Sequence, residues 1–252
     1  MSSGFDERAD IASRFGVSAA QVQRDYLISL VLAHLAERHA ESVLFIGGTA
    51  LARTHLPDGR LSEDIDLIAL GRRTEIADRL TRDLPRAALR RFGRLKWRPA
   101  LTEVSGSDAA YLMSDDESII LKIQLLSRIG MPSWPTESKV LVQRYRDAPE
   151  AMLRVPTRSA FVAGKTLAWC DRGAARDLWD LWALANIDAI DGDAAELFRR
   201  YGPTNKVPQP WQFATAPTER QWHAQLAGQT RLTVSAQDAL EIVSAAWEQA
   251  AD

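Results

Sequence analysis

Asp64 and Asp66 stand two residues apart in the segment Arg60-Leu61-Ser62-Glu63-Asp64-Ile65-Asp66-Leu67. In an extended segment the period of two puts both carboxylates on one face, with Cα atoms roughly 6.5–7 Å apart. Two such charges repel by roughly 2–3 kcal/mol at an effective dielectric of about 20, and a bound cation relieves that. Mg2+ (or Mn2+) suits the pair, because a small hard cation takes one or two carboxylates and completes its shell with substrate phosphate oxygens. Upstream lies Gly47-Gly48-Thr49-Ala50-Leu51. Two glycines in a turn let backbone N–H groups approach a phosphate closely, and the helix that follows adds partial positive charge at its N-terminus. Arg60 and Ser62 stand where they can hold phosphate oxygens. A Gly-Gly turn or an Asp-x-Asp strand edge alone is commonplace. The joint order of strand, Gly-Gly-Thr, helix, turn, Arg-x-Ser-x-Asp-x-Asp and strand is specific, and it describes a site for a metal nucleoside triphosphate.

The elements that must position these residues can be read from the pattern. Ser18 followed by Gln21 predicts a capping box opening a helix, and Leu27, Leu30, Val31, His34 and Leu35 form its apolar stripe. Residues 1–16 read as a loose lead-in. Val43 to Ile46 predicts a buried strand, Thr49 the cap of a short helix over 50–54, and Leu56 to Gly59 a turn. A second strand is expected over 65–70 and a helix over 74–84, ended by Pro85. Residues 101–113 and 118–126 predict a hairpin across Asp115-Asp116-Glu117. Beyond about residue 150 the pattern is helical, over 161–170, 174–185 and 194–201. A proline-rich loop follows, then two helices capped by Thr218 and by Ser235 with Asp238. The expectation is an α/β core over 1–150 and a helical domain over 151–252.

The chain has 252 residues, 31 Lys+Arg and 33 Asp+Glu, a net charge of −2, and 46% hydrophobic residues. That apolar share is enough to fold a globular chain and excludes disorder as the main state. Cys170 is the single cysteine, so no disulfide framework exists and a reducing, cytoplasmic setting is expected. No apolar run of 18 residues is present, and the N-terminus has acidic residues and no apolar core, so neither a membrane span nor a signal peptide is expected. The tryptophans, Trp169, Trp179, Trp182, Trp211, Trp222 and Trp247 among them, fall mostly on helical patterns and are expected in the core. His34, His39, His55 and His223 show no metal spacing.

The wording GGTALA with RLSEDIDL, behind the Val43-Leu44-Phe45-Ile46 strand and the Arg24-Asp25-Tyr26 helix, resembles the AbiEii/AbiGii (MenT-like) toxin family, nucleotidyltransferases of the DNA polymerase β superfamily. Lys165-x-x-Ala168, Arg172 and Arg176-Asp177-Leu178-Trp179-Asp180-Leu181 are similar to that family's second signature. The resemblance spans roughly residues 20–187. It implies an α+β fold: a polymerase-β-like core, a mixed sheet with flanking helices, followed by a helical C-terminal domain. It implies that Gly47, Gly48 and Thr49 face the triphosphate, that Asp64 and Asp66 bind the metal, that Lys165 neutralises the leaving group, and that Asp177 completes the catalytic set. The superfamily's third carboxylate on a later strand is missing: Leu121-Lys122-Ile123-Gln124-Leu125 offers Lys122 and Gln124 on one face. Asp177 or Glu103 is then expected to assist, or Lys122 to meet phosphate or acceptor.

Arg82, Arg86, Arg90, Arg91, Arg94, Lys96 and Arg98 form the one basic block, opposed only by Asp83. Such a block fits phosphates of a nucleic acid, with Arg86, Arg90, Arg91 and Arg94 as the RNA-binding candidates. The resemblance directs this toward the acceptor end of tRNA, an NTP as donor, and a cognate antitoxin as protein partner. The competing expectations are a nucleotidyltransferase acting on a small molecule, and an inactive nucleotide- or RNA-binding protein of the same fold.

Overall fold

The computed structural model describes residues 7–251, with side chains for 7–250. Of the expected lead-in, residues 1–6 lie outside the described part, and Glu7–Phe15 forms helix α1, burying Ile11 and Phe15. Helix α2 (Ala19–His39) opens on Ser18, whose hydroxyl accepts from the Gln21 N–H. The capping box is half made: Gln21 Oε1 accepts from Arg24 instead of turning back to the cap. The apolar stripe widens to most of the helix circumference, because Val22, Tyr26, Ile28 and Leu32 are buried along with Leu27, Val31 and Leu35. Strand β1 (Val43–Ile46) runs directly into helix α3 (Gly47–Thr54). The helix begins on the glycines and not at Ala50, so Thr49 lies inside its first turn and is not its cap.

Strand β2 (Asp64–Ala69) is followed by α4 (Arg73–Asp83), which passes into a 3₁₀ turn at Leu84–Arg86 holding Pro85. Then come α5 (Leu89–Phe92), β3 (Lys96–Trp97), β4 (Ala110–Met113) and β5 (Ile120–Leu126). The expected hairpin is thus β4 and β5. Its first arm is shorter than the apolar run implied, because residues 101–109 form turns around Gly106 (φ +56°). The sheet order is β1-β2-β5-β4-β3, with β2 and β5 parallel and the other pairs antiparallel. Ile65, Leu67, Leu121, Ile123, Leu125, Ala110 and Leu112 point into the core. Each fully buried aliphatic side chain contributes roughly 1.5–3 kcal/mol.

Strands β6 (Thr136–Val140) and β7 (Met152–Pro156) pair with each other. The chain divides into two compact units, one made of residues up to Met131 with Glu137–Val155, the other of Pro132–Thr136 with residues from Pro156 on.

The second unit is helical: α6 (Arg158–Arg172), α7 (Ala175–Ala185), α8 (Gly192–Tyr201), α9 (Glu219–Leu226) and α10 (Ala236–Ala251). Thr218 forms a complete capping box with Gln221 at α9. Ser235 and Asp238 exchange hydrogen bonds at the start of α10. Trp222 and Trp247 are fully buried, whereas Trp211 is 70% exposed, against the expectation for it. No helix among the described residues is long and apolar enough to cross a membrane.

Candidate active site

Gly47 adopts φ +80° between β1 and α3, a conformation open to glycine at no steric cost. Its missing side chain matters as well. The register pairs Ile46 with Asp66, and a Cβ on Gly47 would collide with Asp66 Oδ2. A Cβ on Gly48 would come within 2.7 Å of Arg60 Nη2 and 3.2 Å of Ser62 Oγ. The glycine pair, Arg60, Ser62 and Asp66 therefore form one cluster at the N-terminus of α3. Arg60 is buried there. Thr49 is turned away from open space: its hydroxyl donates to the Asp64 carbonyl and ties α3 to the start of β2. Regular strand geometry begins at Asp64, so Ser62 is brought in by the loop that precedes the strand.

Asp64 and Asp66 share the open face of the sheet, each half-buried, while Ile65 and Leu67 are fully buried. Across the parallel pair Asp64 lies opposite Lys122, and Asp66 opposite Gln124. Lys122 Nζ donates to Asp64 Oδ2 at 3.1 Å. Gln124 is engaged elsewhere, donating to the Ser107 carbonyl at 2.5 Å. Glu103 is turned back on its own loop, where it accepts the Ala100 N–H at 2.7 Å. No cluster of three metal-ligating side chains exists among the described residues. The donors fit a Mg2+ or Mn2+ ion that takes two carboxylates from the protein and its other oxygens from a triphosphate. The ammonium already seated on Asp64 marks that oxygen as open to a cation. On α2, Arg24 donates to Glu63 at 3.1 Å and to the Ile120 carbonyl at 3.3 Å, holding the residue beside Asp64 to the start of β5.

In the second unit Lys165 of α6 and Asp177 of α7 meet. Lys165 Nζ donates to Asp177 Oδ1 at 3.1 Å and lies 2.6 Å from Asp180 Oδ2. Arg172 grips Asp177 with Nε at 2.6 Å and Nη2 at 3.0 Å. Asp177 is fully buried. Its two oxygens are committed to Arg172 and Lys165, and Arg176 is exposed. Asp180 stands in the second signature but carries no role of its own there. Its signal was its spacing, three residues from Asp177 on the same helix face.

The basic block is exposed along its whole length. Arg91 pairs with Asp147 at 2.5 Å, Lys96 with Asp115 at 2.5 Å and Arg98 with Glu117 at 2.8 Å. Arg86, Arg90 and Arg91 line a groove of about 980 Å³ against Tyr26, Leu30 and His34 of α2, and Arg94 stands outside it. Cys170 accepts a hydrogen bond from Gln212, and burial pushes its thiol up to about 11.

The family model of the AbiEii nucleotidyl transferase toxin, of a Type IV toxin–antitoxin system, matches residues 30–252. No curated protein sequence matches the chain. Among solved structures, the chain is similar to MenT4, a nucleotidyltransferase toxin from Mycobacterium tuberculosis. The TM-score is 0.63 at 17% identity, over 97% of this chain and 94% of that one. A STING-associated CdnE c-di-GMP synthase from Capnocytophaga granulosa aligns at a TM-score of 0.27 and 11% identity, over 98% of this chain and 87% of that one. At 17% identity the first likeness is one of fold.

Proposed function

Because the chain belongs to the AbiEii nucleotidyltransferase toxin family, we propose that it transfers a nucleoside monophosphate from an NTP to the 3′ end of tRNA, which stops translation until a cognate antitoxin restores it. The observation that carries this reading is the packing of Gly47 and Gly48 against Asp66, Arg60 and Ser62. A phosphate cradle and a carboxylate pair that touch each other are what a metal-bound triphosphate needs. Gly47, Gly48, Arg60 and Ser62 bind the triphosphate, and Thr49 supports them by fixing the start of β2. Asp64 and Asp66 hold the divalent cation, which supplies charge neutralisation at the phosphates. The acceptor's 3′-hydroxyl loses its proton to solvent as its oxygen bonds the α-phosphorus, the bond to the bridging oxygen breaks, and pyrophosphate leaves. The protein's part is orientation and electrostatic stabilisation. Lys165 meets the triphosphate's charge, and Asp177 with Asp180 fixes its ammonium. Arg86, Arg90, Arg91 and Arg94 bind RNA phosphates.

The test is incubation of the protein with total tRNA, Mg2+ and each radiolabelled NTP in turn. Label on tRNA from at least one NTP, absent in Asp64→Ala, is the expected result. No label on tRNA from any NTP, or equal labelling by Asp64→Ala, overturns the reading.

A further inference from the structure

The open face of the sheet continues past the carboxylates. The β2–β5 register puts Lys122 beside Asp64, and the β4–β5 register puts Tyr111 beside Lys122. One row, perpendicular to the strands, thus reads Asp64, Lys122, Tyr111. Neighbours in such a row share a face, and burial agrees: Lys122 is flanked by the buried Leu121 and Ile123, and Tyr111 by the buried Ala110 and Leu112. Tyr111 is the exception on its strand, 36% exposed, and its hydroxyl has no hydrogen-bond partner among the described residues. At about 4.8 Å per strand the row spans roughly 10 Å from Asp64 to Tyr111. That matches one nucleotide measured from its 3′-oxygen to the far edge of its base. Beyond Tyr111 the row borders the basic block, since the Arg98 N–H donates to the Tyr111 carbonyl at 2.9 Å.

We infer that this row is the seat of the acceptor RNA's terminal nucleotide: the Tyr111 ring stacks on its base, and the Lys122 ammonium lies against its sugar–phosphate edge beside Asp64. The inference rests on the RNA-transfer reading above. An exposed aromatic ring is a sequence-tolerant platform, because every base has a π-face. A cation between ring and carboxylate suits a polyanion, and the adjoining Arg98 segment carries the positive charge on toward the rest of an RNA. A small-molecule acceptor would need no such extension.

The test uses a single-stranded oligoribonucleotide carrying 2-aminopurine at its 3′ terminus, without NTP. Binding to the wild-type protein and to Tyr111→Phe quenches the fluorophore by stacking. Tyr111→Ala and Tyr111→Leu bind about ten-fold more weakly and without quenching, as loss of one base–aromatic stack requires. In transfer assays both raise the KM for RNA and leave the KM for NTP unchanged. Tyr111→Leu keeps an apolar side chain in the strand, so its loss of quenching reports the ring and not the strand. If both variants quench and bind like the wild type while the wild type labels RNA, the row is not the acceptor seat and the transfer reading stands. If the wild type neither binds nor labels any RNA, the transfer reading falls and this inference with it.

Discussion

Lys122 and Asp64 make a 3.1 Å pair on the face where a divalent cation is proposed to bind. An ammonium and a metal ion compete for the same carboxylate oxygen. Lys122→Met is therefore expected to raise the Mn2+ affinity of the nucleotide-free protein several-fold, read from the EPR signal of free Mn2+. Unchanged affinity would mean that the ammonium leaves Asp64 at no cost. The two units separate the roles of their carboxylates. Asp64→Ala is expected to abolish transfer and keep stability within about 1 kcal/mol, because the pair it breaks is partly solvated. Asp177→Ala leaves Lys165 with Asp180 as its remaining carboxylate and frees the exposed Arg172, and should cost about 1.5–3 kcal/mol of stability in urea titrations. An Asp177→Ala protein as stable as the wild type would remove its role as the anchor of Lys165. Gly48→Ala pushes a methyl group onto Arg60 Nη2. It should raise the KM for NTP at least ten-fold, with the fold retained by circular dichroism.

At the scale of elements, α2 is the anchor of the first unit, and three consecutive residues do the anchoring. Arg24 holds Glu63 and the start of β5. Asp25 accepts from Arg53 of α3 at 2.8 Å and from Tyr145 at 3.1 Å, and lies 3.5 Å from Arg144. Tyr26 donates to Asp147 at 2.7 Å. Burial and the neighbouring Arg53 hold Arg144 down to about 10. Removing Asp25 leaves two buried guanidiniums facing each other, so Asp25→Ala should cost about 3–5 kcal/mol, seen as a lowered urea midpoint. In the sequence these three residues are legible as a motif, whereas their partners, as far off as 121 residues in the chain, are not. The cradle and the carboxylate pair were legible because one short stretch holds them. The helix start at Gly47 was missed because capping statistics favour Thr49, while the tertiary demand is for its hydroxyl at Asp64. Strand β3 has two residues and no period to detect. Strand β6, Thr-Glu-Ser-Lys-Val, has no buried residue and so lacks the apolar alternation that marks a strand. Tyr111 and Lys122 acquire meaning only through register, which no local pattern reports.

For the molecule as a whole, pH acts through two imidazoles. Burial, then Arg38 and His39, lowers His34 from the ordinary value of 6.5, against Glu37 and Asp83; burial, then Arg79 and Arg38, lowers His39, and Asp83 opposes this only in part. The unfolded chain takes up protons near 6.5 and the folded chain resists them. Stability is therefore full above that value and declines as the pH falls below it. The melting temperature should be level above about pH 7.5 and drop toward pH 5, with the drop reduced in a His34→Gln, His39→Gln double variant. A melting temperature equally high at pH 5 and pH 8 would contradict this. The sheet order carries one more consequence, for a chain still being made. β2 lies between β1, which precedes it, and β5, where Asp64 finds Lys122 58 residues further on. Until β5 emerges, β1 and β2 are a two-stranded ribbon, marginal in water. The carboxylate pair then has no central strand to hold it. Whatever chemistry depends on that pair therefore begins only once β5 has been made.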